Sequence, residues 1–261
     1  MAKECGIKNV AVVEKGYIGG GNTGRNTTII RSNYLRDEAS SLYEHSMRLW
    51  EGLSEDLNFN VMFSQRGVYN LGHTLQDMRD IERRVNANVL NGVDAVVVDH
   101  KEIKEQIPII NTSKNVRYPI MGASFQARAG VARHDGVAWG FARAASNLGV
   151  DIIQNCEVID IEVEEGRVKG VKTTQGDIMA DRVGCVSAGH SSVIARMAGL
   201  RLPVESHPLQ AFVSEAMKLF FIRLSCLMQF MAMLVKAIRV TWLLVRVLMA
   251  IILMLNAAAL K

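Results

Sequence analysis

Apolar residues are spaced unevenly along the chain, and their period changes from segment to segment. Lys8–Glu14 is a short apolar run with the branched Val10, Val12 and Val13, ended by an acid, and predicts a buried β-strand. A glycine-rich stretch follows, with Gly16, Gly19, Gly20 and Gly21, and predicts a loop. Glu38–Leu53 places Leu42, Met47, Leu49, Trp50 and Leu53 at helical spacings. A second helix is predicted over Thr74–Asn91, then a strand over Ala95–Val98. Val137, Ala138, Phe141, Ala142, Ala145 and Leu148 again repeat as on a helix face, with Gly149 as its stop before the strand Val150–Ile153. Glu157–Val163, Arg167–Thr173 and Asp177–Ala180 are strand-like runs separated by Glu165-Gly166 and Gln175-Gly176 turns, a β-meander. Val183–Ser187 returns to the main sheet, and Ala188–Ser192 turns into a helix over Val193–Met197. This order predicts an α/β nucleotide-binding fold with an interrupted core and no internal repeat.

Composition divides the chain near Lys218. All 21 glycines, all four prolines and all 26 acidic residues precede Leu219, whereas residues 219–261 carry five basic residues, five methionines and none of those three classes. We therefore expect residues 1–218 to be the functional part, and 219–261 to be an aberrant apolar helical tail without a native domain. The formal charge of +4 belongs to that tail, because the first part holds 25 Lys/Arg against 26 Asp/Glu. Nucleic-acid binding loses its compositional support. The longest uncharged stretches of the tail, Leu224–Val235 and Val247–Leu260, fall short of the roughly 18–20 residues that span a bilayer, so no functional membrane segment is expected. Cys5, Cys156, Cys185 and Cys226 form no metal-like spacing and fit reduced thiols in a cytoplasmic protein, and the charged N-terminus has no signal-peptide core.

Glu14 carries the first chemical signal. A carboxylate closing an apolar strand can accept both ribose hydroxyls of an adenine dinucleotide, although a plain strand-end glutamate fits as well. Only 13 residues precede it, so the usual strand and GxGxxG loop upstream are expected to be missing. The segment Gly19–Ser32, GGGNTGRNTTIIRS, admits close backbone approach and offers hydroxyls and amides to a large ligand; a structural turn is the alternative. Arg133-His134-Asp135 precedes a predicted helix, where His134 serves either as a local hydrogen-bonding residue or as a nucleophile toward an activated ring. His190 and His207 lie near chain reversals, and neither they nor His45, His73 and His100 form a zinc pattern.

Five passages together carry a resemblance: NVAVVEKGYIGGGNTGRNTTIIRSNYLRDE, FSQRGVYNLGHTLQD, IINTSKNVRYPIMGASFQARAGVARHDGVAWGFAR, GVDIIQNCEV and SAGHSSVIARMAG followed by SHPLQAFVSE. Across nearly all of residues 5–215 the chain resembles the β subunits of heterotetrameric sarcosine oxidases, within the glycine/D-amino-acid oxidase (DAO) group of FAD-dependent oxidoreductases. The resemblance implies an incomplete FAD-binding Rossmann-like domain joined to part of a β-meander substrate domain. It implies that Glu14 binds the FAD ribose, that Gly20, Gly21, Asn26, Thr27, Thr28 and Ile30 lie beside FAD, and that Val158 contacts its adenine side. It places Arg31 near the flavin and a substrate carboxylate, where a guanidinium offers paired hydrogen bonds; an ordinary ion-pair role for Arg31 is the alternative. His134, in the matching GVARHD segment, would carry covalent FMN.

For an intact parent the resemblance implies oxidative demethylation of sarcosine to glycine and formaldehyde, with electrons passing from FAD to FMN and then to oxygen as hydrogen peroxide. It also implies α, γ and δ companion subunits, with NAD and tetrahydrofolate held by a companion. The alternatives are a related dimethylglycine or amino-acid dehydrogenase, or a noncatalytic assembly fragment. The family's second half is expected to be lost after about residue 218. Codon degeneracy lets the segments Leu227–Lys236 and Thr241–Ala250 be read, one base out of frame, as SNAIHGYVS and LVIGAGID, which resemble the family's continuation. A frameshift near Lys218 is therefore expected.

Overall fold

The computed structural model describes residues 2–206, 208–209, 243–244 and 250–255. After the short helix α1 (Ala2–Cys5), β1 (Val10–Glu14) is buried along nearly its whole length, as a central strand with both faces covered should be. The chain continues through a 3₁₀ turn at Thr23–Arg25, β2 (Ile29–Ile30), α2 (Asp37–Asp56), β3 (Val68–Gly72), α3 (Leu75–Leu90) and β4 (Ala95–Asp99). It then forms α4 (His100–Gln106), β5 (Gly122–Gln126), β6 (Gly130–Val131), α5 (His134–Asn147) and β7 (Asp151–Ile153). The meander β8 (Val158–Glu164), β9 (Arg167–Thr173) and β10 (Gly176–Cys185) leads into α6 (Ser191–Met197). Three further strands are β11 (Pro208–Leu209), β12 (Leu243–Leu244) and β13 (Ala250–Leu255).

The main sheet runs β7-β1-β13-β10-β9-β8, with β1 parallel to β7 and every other pairing antiparallel. Ala11, Val13, Cys156, Val158, Ile161, Val171, Ala180 and Ile194 form its core, so α6 and the meander are packed against the same face as β1. A second sheet, β3-β5-β4, is antiparallel. Ile81 and Val85 of α3 join Val93 and Ala95 in one of its cores, and Ile103 of α4 joins Ile107, Ile110, Ile120 and Ala123 in another. The short pair β2–β6 lies with Met47, Val68 and Ala129. At the start of α3, Thr74 and Asp77 form a reciprocal capping box.

Three expectations change. Asp177–Ala180 and Val183–Ser187 are not separate strands: β10 is continuous through Asp181 and Arg182, with a register shift there absorbing the polar pair. In α2, Leu42 and Leu49 face outward, 66% and 56% exposed, while Ser40, Glu44 and Met47 form the buried stripe. Polar partners waiting for Glu44 turn the helix away from its most apolar face. In the tail, the expected helices do not appear among the described residues: Ala250–Leu255 is extended and fills the place between β1 and β10, pairing with both. Two open ladder edges supply hydrogen bonds to any apolar, branched segment that can lie between them. The rest of the tail, and the Leu227–Lys236 segment of the frameshift reading, lie outside the described residues.

Candidate functional site

Glu14 sits where β1 meets the glycine loop and is 6% exposed. Its Oε1 accepts from the Gly16 amide at 2.9 Å, while Oε2 is buried with no hydrogen-bond partner among the described residues. Burial raises its pKa above the usual carboxylate range, against the opposing pull of the Gly16 amide. A buried, half-satisfied carboxylate is costly in isolation and becomes favourable once a donor arrives. Ribose hydroxyls are such donors, so this corner fits the adenosine end of a dinucleotide. The surrounding loops are held by backbone bonds: Asn155 N donates to Gly16 O at 2.7 Å and Cys156 N to Glu14 O at 3.0 Å. Gln154 accepts from the Ile18 amide at 2.8 Å, and Lys15 pairs with Glu157 at 2.6 Å. Val158 is buried in the core beside Val13, two residues beyond Cys156.

The glycine loop is closed on itself. Gly20 N donates to Tyr17 O at 2.9 Å, with the Tyr17 ring lying over Gly20, and Gly19 takes φ +81°. A Cβ on Gly24 would come within 2.3 Å of the Gly19 carbonyl oxygen, so only glycine permits this closure. Asn26 secures the far side: its Nδ2 donates to Asn22 O and Thr23 O, each at 2.8 Å, and its Oδ1 accepts from the Thr28 amide at 2.6 Å. Thr28 takes φ +56°, an unusual state for a branched residue, and its hydroxyl donates to Thr27 O.

Beyond Thr28 the two sequence motifs meet. Ile29 and Ile30 pair with Val131 and Gly130, and Ala132 N donates to Thr28 O at 3.2 Å. This register brings the Asn26–Arg31 segment alongside the approach to His134, the first residue of α5. The His134 ring is half-buried, and its Cδ2 lies 3.7 Å from where a Gly24 Cβ would stand. Gly21 completes the turn between these two glycines. Asp135 is paired with Arg133. It takes a bidentate hold on Arg133 at 2.9 and 2.6 Å and accepts from the Gly136 amide, and the Arg133 bonds depress its pKa to about 2.

Arg31 follows β2 and is half-buried. One guanidinium nitrogen donates to Asn33 Oδ1 at 2.7 Å, and the group lies 4.4 Å over the Tyr34 ring, itself stacked at 4.1 Å on Tyr43. Among the described residues Arg31 has no ion pair. Burial lowers its pKa, and the neighbouring Arg84 adds to that. Sequence reasoning missed Asn33, Tyr34 and Arg84; the spacing of the first two from Arg31 was available, whereas Arg84 reads as an ordinary solvent-side residue of α3. His190 lies in the turn after β10, and its Nδ1 is buried without a partner among the described residues. His207 and Cys226 lie outside the described residues, and among the described residues no group of three or more His, Cys, Asp or Glu could hold a metal ion. No helix of the described residues is long and apolar enough to cross a membrane.

Comparison with known proteins fits this geometry. The chain is 58% identical over 215 residues to the sarcosine oxidase β subunit of an Arthrobacter species, covering 82% of this chain and 53% of that protein. It is 56% identical over 220 residues to the corresponding Rhizobium meliloti subunit, covering 84% and 53%. The chain thus spans about half the length of these relatives. Among solved structures it is similar to L-proline dehydrogenase from P. horikoshii, with a TM-score of 0.66 and 26% identity over 76% of this chain and 51% of that one. Glycine oxidase from Geobacillus kaustophilus has the same fold, with a TM-score of 0.66 and 21% identity over 74% and 52%. Residues 1–226 match the model of the FAD-dependent oxidoreductases, and the chain belongs to that DAO family.

Proposed function

We propose that this chain forms the FAD-side portion of a sarcosine oxidase β subunit. The observation that carries the reading is the pairing of two unmet demands. Among the described residues the buried Oε2 of Glu14 lacks a donor, and the Arg31 guanidinium lacks an anion. The first suits a ribose hydroxyl of FAD, and the second suits the carboxylate of an N-methyl amino acid. Arg31 would fix the carboxylate through paired hydrogen bonds, so that the N-methyl carbon is presented in one orientation. Loss of a hydride equivalent from that carbon leaves an iminium, which water resolves to glycine and formaldehyde. FAD supplies the hydride acceptor when bound, and FMN carried on His134 supplies the route to oxygen, with hydrogen peroxide as the product.

Gly20, Gly21, Asn26, Thr27, Thr28 and Ile30 are the proposed flavin-lining segment, with Val158 backing the adenine end. Its position against the His134 approach supports two flavins served by one small sheet. The similarity to β subunits supports companion α, γ and δ subunits, with NAD and tetrahydrofolate bound by a companion, and a cytoplasmic assembly. We also propose that residues 1–218 are a partial FAD-dependent oxidoreductase domain, carrying the flavin-facing residues, and that the reading frame changes near Lys218.

Purified holoprotein is denatured and its peptides weighed. Covalent FMN is expected on the peptide holding His134, with FAD released; His134→Ala should remove the added mass. A covalent increment that survives this substitution places the link elsewhere, and FAD without any covalent flavin favours a related dehydrogenase. Resequencing through Lys218 tests the frame: the same tail in independently read genes defeats the shift.

A further inference from the structure

Arg31 is unusual in what holds it. Its anchor is the side chain of Asn33, fully buried, whose Oδ1 accepts at 2.7 Å while the Asn33 carbonyl lies at 3.5 Å from the same nitrogen. The ring of Tyr34 supports the guanidinium face. All of these partners are neutral. Carboxylates are close by in sequence and space, but they are committed elsewhere: Glu44 binds Arg128 and the Ser32 hydroxyl, and Glu51 binds Arg128 through both oxygens. Ser32, directly after Arg31, is thus tied to the acidic network while Arg31 is kept out of it.

Asn33 Nδ2 is buried without a partner among the described residues, as is Nε of the nearby Arg84. The electrostatic result is a patch of donors in which no carboxylate among the described residues pairs with Arg31 and the neighbouring Arg84 disfavours its charge. We propose that Asn33 is a positioning residue that orients the Arg31 guanidinium without neutralising it, leaving its charge available to the carboxylate of an amino-acid substrate. This rests on the reading of Arg31 as the carboxylate-binding group. An aspartate here would have the same shape but would offer Arg31 an internal carboxylate. That carboxylate would compete directly with the substrate's own.

The test uses flavin-loaded holoprotein, with acetate and acetamide as charged and neutral probes titrated by flavin absorbance, alongside sarcosine turnover. Asn33→Asp should raise the acetate Kd and the sarcosine KM by about tenfold, the size of one lost charge contact. It should leave the acetamide Kd and kcat within about threefold, as expected when ground-state binding of the anion is what changes. Equal weakening of acetate and acetamide, or no weakening of either, overturns the proposal. Should Asn33→Asp fail to load flavin, Asn33→Ala decides: a selective loss of acetate binding supports a positioning role, and unchanged acetate binding overturns it. Arg31→Met separates the two layers. If that variant binds acetate normally, the reading of Arg31 falls; if it loses acetate while Asn33→Asp does not, only the role of Asn33 falls.

Discussion

At the residue scale, the most informative atom is an oxygen. Glu14 Oε2 is buried and unpaired while Oε1 is bonded to Gly16. Because burial raises the folded-state pKa of this acid, the protonated form is favoured on folding. Its contribution to stability is therefore full at low pH and is lost as pH rises through the ordinary carboxylate range toward the raised value. Glu14→Gln keeps the Gly16 bond and removes the buried charge. It should stabilise the flavin-free chain at neutral pH by about 1 kcal/mol, a few degrees in Tm, and should weaken FAD binding by about tenfold or more. Thermal melts with and without FAD check both signs; a variant destabilised in both states contradicts the assignment of Glu14 to the ligand. In the sequence, Glu14 could be read only as an acid closing a strand. Which of its oxygens would lack a partner depended on the Gly16 turn and on loops from β7 and β10, contacts more than a hundred residues away in the chain.

Among the elements, α2 is held by a polar clamp rather than by its leucines. Arg128 binds Glu44 and Glu51 of the helix, Glu44 also accepts from Ser32 at 2.8 Å, and Gln126 joins Ser32 to Asp94. Arg128→Ala leaves the buried Glu44 with only the longer Arg48 contact at 3.9 Å and should cost about 2–4 kcal/mol, measured by denaturant unfolding. The Arg128 hydrogen bonds hold Glu51 below the ordinary carboxylate range. The stability they add is present above the unfolded-state value and disappears as pH falls through the lowered one. Glu51 is partly open to solvent, so Glu51→Gln should cost only about 1 kcal/mol at neutral pH and nothing at the acid end of that window. An equal loss at both pH values would assign the effect to packing. This clamp explains why periodicity located α2 but misjudged its face: Leu42 and Leu49 obey the helical repeat, yet Glu44 is bound by Arg128, just after β5, and by Ser32, just after β2. Local signals served better where chemistry was local, as with the Thr74 and Asp77 cap on α3. The strands β3 and β5 were missed because neither carries an apolar alternation strong enough to stand alone, and each is defined by the other.

For the whole molecule, the weight falls on the middle of the main sheet. β13 pairs along all of β1, from Val10 against Met254 to Glu14 against Ala250, and on its other side with β10 from Ala180 to Cys185. Without it, β1 would keep only β7 and β10 only β9, leaving two facing ladders of unpaired amides and carbonyls in the centre of the fold. Each unmade ladder bond forgoes about 1 kcal/mol, and open edges invite pairing between molecules. Glu14 is one of the residues whose backbone would lose its neighbour, so the ribose corner should loosen together with the sheet. A chain ending at Lys218 is therefore expected to associate in light scattering, to melt at lower temperature, and to bind FAD more weakly than the 261-residue chain. If the shortened chain instead stays monomeric with unchanged melting and FAD affinity, the β1–β10 gap tolerates an empty place and the apolar tail contributes nothing to the site. Should the reading frame change near Lys218 as proposed, the same assay on the reframed chain carries the argument further. A continuation that fills the gap better than Ala250–Leu255 must raise FAD affinity and the melting temperature together, because both depend on the same strand.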